Sequence, residues 1–187
     1  TDDEKPFDIP DSWEWVRLEE IGSIIGGGTP KTKIIEYWDG TIPWITPADM
    51  KFIGKYAKRG KRNISSLGLQ KSSAQLMPKG TVLFSSRAPI GYIAIADNDI
   101  STNQGFKSIV PFDMRCNEYI YYCLQARISD IKHRASGTTF KEISGGEFGK
   151  TMIPLPPLDE QHRIIARIEE LQPDIDAYDK AHTELRT

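Results

Sequence analysis

Asp11, Asp49 and Lys51 are the nearest this chain comes to a catalytic set. Two carboxylates and a lysine, in Pro10-Asp11 and Asp49-Met50-Lys51, could hold a metal ion and activate a water. Such triples arise by chance in most chains, so a metal-dependent nuclease stands only as a rival reading. Gly26-Gly27-Gly28-Thr29-Pro30-Lys31 has the glycines of a phosphate loop without its spacing or its Gly-Lys-Ser/Thr ending, and Pro30 lacks an amide needed to cradle phosphate. His133, His162 and His182 are scattered, Cys116 and Cys123 lack metal-ligand spacing, and Ser85 and Ser86 have no evident histidine–carboxylate partner. No catalytic residue and no metal site is expected.

What recurs instead is side chains suited to touching a polyanion. Asp49 is followed by no acidic residue until Asp97, and between them lie Lys51, Lys55, Lys58, Arg59, Lys61, Arg62, Lys71, Lys79 and Arg87. The formal net charge of −2 therefore hides a polarised chain with a basic middle. Lys31, Lys33, Lys51, Lys58, Arg59, Lys61 and Arg62 can neutralise phosphates. Ser86 and Arg87 at a strand end, Asn103 and Gln104 before a strand, and Thr138, Thr139 and Lys141 in a polar loop can add contacts, Asn and Gln pairing with adenine and Arg with guanine. Leu155-Pro156-Pro157 shares its prolines with the catalytic motif of amino-methyltransferases, but leucine stands where a polar residue must hold the target amine, so methyl transfer is not expected.

The elements that would position these groups are legible in part. Leu18–Ile24 reads as a short helix closed by Gly26–Gly28, Thr29–Lys33 as a loop, and Ile42–Ile45 as a short strand or bend. Lys51–Arg62 has no clean period and reads as a loop or exposed hairpin, and 65–75 can hold a short helix. Val82–Phe84, Tyr92–Ala96 and Lys107–Val110 are β-branched-rich strands. Asn117 is placed to cap a helix over Glu118–Arg134, with Ile120, Leu124, Ile128 and Ile131 facing the core. Gly137 should end it, and Thr138–Gly146 reads as a polar loop. Cys116 and Cys123, the only cysteines, read as free buried thiols in a reducing cytoplasm. No apolar run is long enough to span a bilayer, and the acidic first residues do not read as a signal peptide.

Three prolines in four residues, Pro154 to Pro157, favour an extended connector. Beyond it Ile164, Ile168, Leu171, Ile175, Tyr178, His182 and Leu185 alternate in steps of four and three, the a/d repeat that lets two helices wrap together. Pro173 falls inside this run, where a kink is expected. The fold class is thus α+β, with a short mixed sheet and flanking helices over 1–153, a proline hinge at 154–157, and a long coiled-coil helix over 158–187.

In order and spacing these stretches resemble the target recognition domain family of Type I restriction-modification specificity subunits. The resemblance runs through Ile9-Pro10-Asp11-Ser12-Trp13, Gly27-Gly28-Thr29-Pro30 with Ile42-Pro43-Trp44-Ile45, the long run from Pro78 to Gly91, Thr102-Asn103-Gln104-Gly105-Phe106, and Ile153 to Gln161 with Arg163-Ile164-Ile165. It implies a non-catalytic subunit that binds one half of a split double-stranded DNA target. It also implies docking to methyltransferase and restriction subunits in a prokaryotic cytoplasm. S-adenosylmethionine would sit on the methyltransferase partner, with no cofactor here. Family members carry two recognition domains and two long antiparallel helices. One domain and one helix make half of that, which would pair with a second half or with its own copy through the 164–185 seam. A module that only oligomerises, without a DNA role, is the second rival reading.

Overall fold

The computed structural model describes residues 6–137 and 141–184, with the side chains of the last helix described through Tyr178. In chain order the elements are β1 (Glu14–Arg17), α1 (Leu18–Ile21), β2 (Gly22–Gly26), β3 (Trp38–Ile45), β4 (Tyr56–Ala57), β5 (Arg62–Ile64), α2 (Ser66–Gln70), β6 (Val82–Phe84), β7 (Ile93–Ala96), β8 (Ser101–Thr102), β9 (Lys107–Pro111), α3 (Asn117–Arg134), α4 (Gly145–Gly149), β10 (Met152–Leu155) and α5 (Leu158–Glu184). They form a five-stranded sheet in the order β2-β9-β6-β7-β4, a three-stranded sheet β5-β3-β8, and a β1-β10 pair.

The central sheet is covered on both faces, as the unbroken apolar runs of Val82–Phe84 and Ile93–Ala96 require. Val82, Phe84 and Ile95 point into a cluster with Ile120, Leu124 and Ile131 of α3 and Phe148 of α4. Leu83, Ala94 and Ala96 point the other way, toward Ile45, Met50, Ile100 and Phe106. Each fully buried aliphatic or aromatic side chain here is worth roughly 1.5–3 kcal/mol. The α3 stripe packs as its spacing dictates, with Ile120, Leu124 and Ile131 fully buried and Ile128 half-buried.

Several local expectations are corrected. The segment expected as one helix over Leu18–Ile24 stops after a turn, and Gly22–Gly26 pairs antiparallel with β9, Ile24 opposite Ile109. Ile24 and Ile25 are β-branched, and the partner strand supplies the hydrogen bonds a second helical turn would have made. The Lys51–Arg62 stretch is no free hairpin: it begins in a 3₁₀ turn over Asp49–Phe52, and its β4 pairs in parallel with β7. Cys116, not Asn117, is the cap position of α3. The polar stretch expected as loop ends in α4, capped by the Ser144 hydroxyl and held by Phe148, which stacks on Phe84 at 4.7 Å.

The proline-rich connector is extended, and it is paired. Ile153 and Pro154 lie opposite Val16 and Trp15, and the Tyr119 hydroxyl donates to the Pro154 carbonyl at 2.7 Å. Both cysteines are free thiols, and burial pushes Cys123 up to about 12. No helix among the described residues is long and apolar enough to cross a membrane.

Helix α5 starts against the domain and then leaves it. Trp13 Nε1 donates to Glu160 at 3.0 Å, Gln161 Nε2 to the Pro156 carbonyl at 2.9 Å, and Ile165 is buried. Lys55 fastens the next turn: its ammonium sits 2.6 Å from Glu169 and 3.5 Å from Glu118. Burial works against that charge, but the hydrogen bonds to Glu169 and Tyr122 and the Glu118 carboxylate outweigh it, so the Lys55 pKa lies above the ordinary lysine range. The Glu169 carboxyl is correspondingly held below its ordinary range by the Lys55 hydrogen bond. A depressed carboxylate contributes its stability above its unfolded pKa and loses it as pH falls through the folded one; a raised lysine does the reverse at high pH. The clamp should therefore hold across the neutral range and release in acid below the usual glutamate pKa. Lys55→Met is expected to cost about 1 kcal/mol at pH 7, Glu169 being half exposed. Amide exchange in the first turns of α5 should quicken at pH 7 in this variant and show no further acid-induced step.

From Glu169 to Tyr178 every residue of α5 is exposed. The helix is continuous through Pro173.

Candidate nucleic-acid interface

The loops that carry the sequence motifs meet at one end of the three-stranded sheet. Strand β8 runs parallel to β3, Ile45 opposite Thr102, so the turn after β3 and the turn after β8 emerge side by side. Strand β5 is antiparallel to β3, Arg62 opposite Trp44, so the segment leading into β5 starts from that same end. Contacts confirm the convergence. A Cβ at Gly105 would lie 3.0 Å from the Pro47 ring. The Asp49 carboxylate accepts from the Thr46 amide at 2.9 Å, the Thr46 hydroxyl at 2.7 Å and the Lys61 amide at 3.2 Å. Asp49 is buried and bonded to its own turn, which argues against its use as a metal ligand.

The Gly27-Gly28-Thr29 turn joins them. The Gly28 amide donates to the Thr102 carbonyl at 2.9 Å, and Trp44 Nε1 donates to the Gly28 carbonyl at 2.9 Å. At Gly27 a Cβ would lie 1.9 Å from the Asn103 carbonyl oxygen, so only glycine allows this approach. The glycines thus fit two loops together. The Thr29 hydroxyl donates to Gln104 Oε1, which leaves the exposed Gln104 amide nitrogen as a donor to solvent or ligand.

Each expected contact residue can now be placed. Lys31 and Lys33 are exposed on the loop after Thr29, and Lys51 is exposed on the 3₁₀ turn. Arg59, Lys61 and Arg62 are exposed around a shallow hollow of about 530 Å³ that Asp39, Gly40, Gly60 and Asn63 complete. Arg62 is oriented by stacking on Trp38, its guanidinium carbon 3.7 Å from the ring centroid. Lys58 is exposed but pairs with Asp97 at 3.2 Å, as Lys79 does at 3.0 Å. Hydrogen bonds from these two lysines hold the Asp97 carboxyl below its usual range.

The Ser86–Arg87 expectation is corrected in part. Ser86 is fully buried, its backbone bridging Gly105 and Ile143, so its hydroxyl is out of reach of a duplex. Arg87 is paired with Glu142 at 3.3 Å, and Glu142 also takes Lys107 at 3.4 Å. Asn103 spends its side-chain oxygen on the Gly105 amide at 2.9 Å. Lys141 is exposed; Thr138 and Thr139 lie outside the described residues. Ser85, in the same motif, braces a turn: its hydroxyl donates to the Pro89 carbonyl and accepts from the Tyr92 amide. Nothing in the local sequence marks Glu142 as the shared partner of Arg87 and Lys107; the fold brings the three together.

Along α5, Ile164 and Ile168 are half-buried, and Ile165 beside them is the buried one. Leu171, Ile175 and Tyr178 are 38%, 47% and 69% exposed. The side chain of His182 and all of Leu185 lie outside the described residues.

A domain that gathers exposed basic and amide side chains at one end of a small sheet, with a long helix leaving it, has the surface chemistry of a polyanion-binding module. Comparison with known proteins makes the class specific. The model of the family described as "Type I restriction modification DNA specificity domain" matches residues 10–184, and the chain belongs to that family. It is 44% identical over 159 residues to the Type I restriction enzyme MjaIX specificity subunit of Methanocaldococcus jannaschii, which covers 83% of this chain and 37% of that protein. It is 32% identical to the EcoR124I/EcoR124II specificity subunit of Escherichia coli, over 81% of this chain and 39% of the other. The fold is similar to a chain in a structure of a type I R-M system, with a TM-score of 0.73, 27% identity, and coverage of 97% of this chain and 44% of that one. It is also similar to the HsdS subunit from Thermoanaerobacter tengcongensis, with a TM-score of 0.71, 25% identity and coverage of 95% and 42%. The chain spans less than half the length of each of these relatives.

Proposed function

We propose that this chain is one recognition half of a type I specificity subunit: it binds one part of a bipartite duplex target and performs no chemistry itself. The observation that carries this reading is the meeting of Thr29–Lys33, Lys51, Arg59–Arg62 and Gln104 at one end of the β5-β3-β8 sheet. Exposed cations there position the phosphate backbone, and the Gln104 amide, with Asn103 beside it, supplies donors for base edges. Helix α5, 27 residues long, extends about 40 Å at 1.5 Å per residue. That is comparable to the ~34–36 Å of one duplex turn. Its exposed Leu171–Ile175 stripe pairs with a second such helix, from another half or another copy, as a coiled coil, and so sets the spacing between two half-sites. Methyltransferase and restriction subunits dock on this assembly in the cytoplasm, and S-adenosylmethionine belongs to the methyltransferase.

Selection from a pool of random duplexes by the full 187-residue chain tests the reading. Duplexes sharing one short fixed element should be enriched, with affinity falling steeply as salt rises. Recovery of no common element, or binding indifferent to salt, would refute it.

A further inference from the structure

The Asp49–Phe52 turn presents a feature that phosphate contact does not use. Phe52 is 82% exposed, among the most exposed large apolar side chains of the described residues. Its neighbours in the turn are anchored. Met50 is buried and Ile53 packs on the same core cluster, while the Asp49 carboxylate ties the turn to Thr46 and to the Lys61 amide. Phe52 therefore projects from a fixed base, not from a loose loop. Two cations neighbour it: Lys51 precedes it in the chain, and the Lys61 ammonium lies 5.9 Å from its ring centroid. Ile35 and Phe112 are exposed to a similar degree, but each sits beside a carboxylate, Glu36 and Asp113. A ring held in water contributes little to folding. Beside Lys51 and Lys61, at the end of the sheet where the motif loops meet, it has the form of an apolar wedge flanked by cations.

We infer that Phe52 contacts the face of a nucleobase, entering a base step that opens as the domain binds. The inference rests on the DNA-binding reading above and adds a residue that acts by stacking. Lys51 and Lys61 hold the flanking phosphates while the ring replaces part of the lost base stacking. Opening is easiest at pyrimidine–purine steps, so Phe52 favours targets containing one at that position without hydrogen-bonding to any base.

Enriched duplexes carrying 2-aminopurine at each adenine in turn, together with permanganate probing of each thymine, test this on the full chain. Wild-type binding should raise 2-aminopurine fluorescence or permanganate reactivity at one step. Phe52→Ala should abolish that signal and weaken binding roughly tenfold, with the salt slope unchanged. Phe52→Trp should retain signal and affinity. Because the ring is exposed, the melting temperature of Phe52→Ala should match the wild type, which separates a lost contact from a lost fold. Wild-type binding with no responsive step, or a Phe52→Ala variant that keeps both signal and affinity, overturns the inference while leaving DNA binding in place. Enrichment of no duplex at low salt overturns both.

Discussion

Alanine at Lys51, Arg59 and Lys61 together should lower the slope of log affinity against log salt by about 2.7, at ~0.9 per phosphate contact. The corresponding loss of affinity is on the order of a hundredfold at 0.1 M salt, and it should fall equally on specific and non-specific duplexes. The three are chosen because, among the described residues, each is exposed and none is in an ion pair. Lys58→Ala should do much less, since Lys58 already pairs with Asp97. Arg62→Ala carries a separate structural cost from the lost stack on Trp38. Fluorescence anisotropy of a labelled duplex across a salt series measures both quantities. An unchanged slope would remove this end of the sheet from the interface.

Leu171→Asp with Ile175→Asp should abolish pairing through α5. Burying a Leu or Ile side chain is worth roughly 1.5–3 kcal/mol. A two-fold pair of helices counts each substitution twice, and each aspartate adds an unpaired charge to an apolar seam. A weakening of self-association, or of association with a second half, by about a thousandfold or more follows. Sedimentation velocity would then show only the single chain. The domain itself should melt as before, because both side chains are exposed and lie beyond the last turn that touches it. Ile164 and Ile168 are poorer targets for this test: they are half-buried near Ile165 and the Lys55–Glu169 clamp, so charging them disturbs the domain as well. An unaltered sedimentation profile would refute the role given to the stripe.

The order of the motifs, the apolar, β-branched-rich runs of β6 and β7, the α3 stripe and the gap in acidic residues between Asp49 and Asp97 were legible from residue order alone. Each is a local run, period, count or order, and none depends on what lies across the fold. The same holds for the glycines of Gly27-Gly28, whose presence was visible, though not that they admit the Asn103 carbonyl. Which cations stay available was decided by tertiary structure. Lys55 is consumed by Glu169, 114 residues away, and Arg87 by Glu142, 55 residues away. Ser86 is hidden because two distant segments bond to its backbone, and Gly22–Gly26 is a strand because β9 lies beside it. Phe52 faces outward only because Met50 and Ile53 are drawn inward. Periodicity states which side of an element is apolar; it does not state what will meet that side. Charge, burial and pairing are settled by the partner, and the partner is brought by the fold.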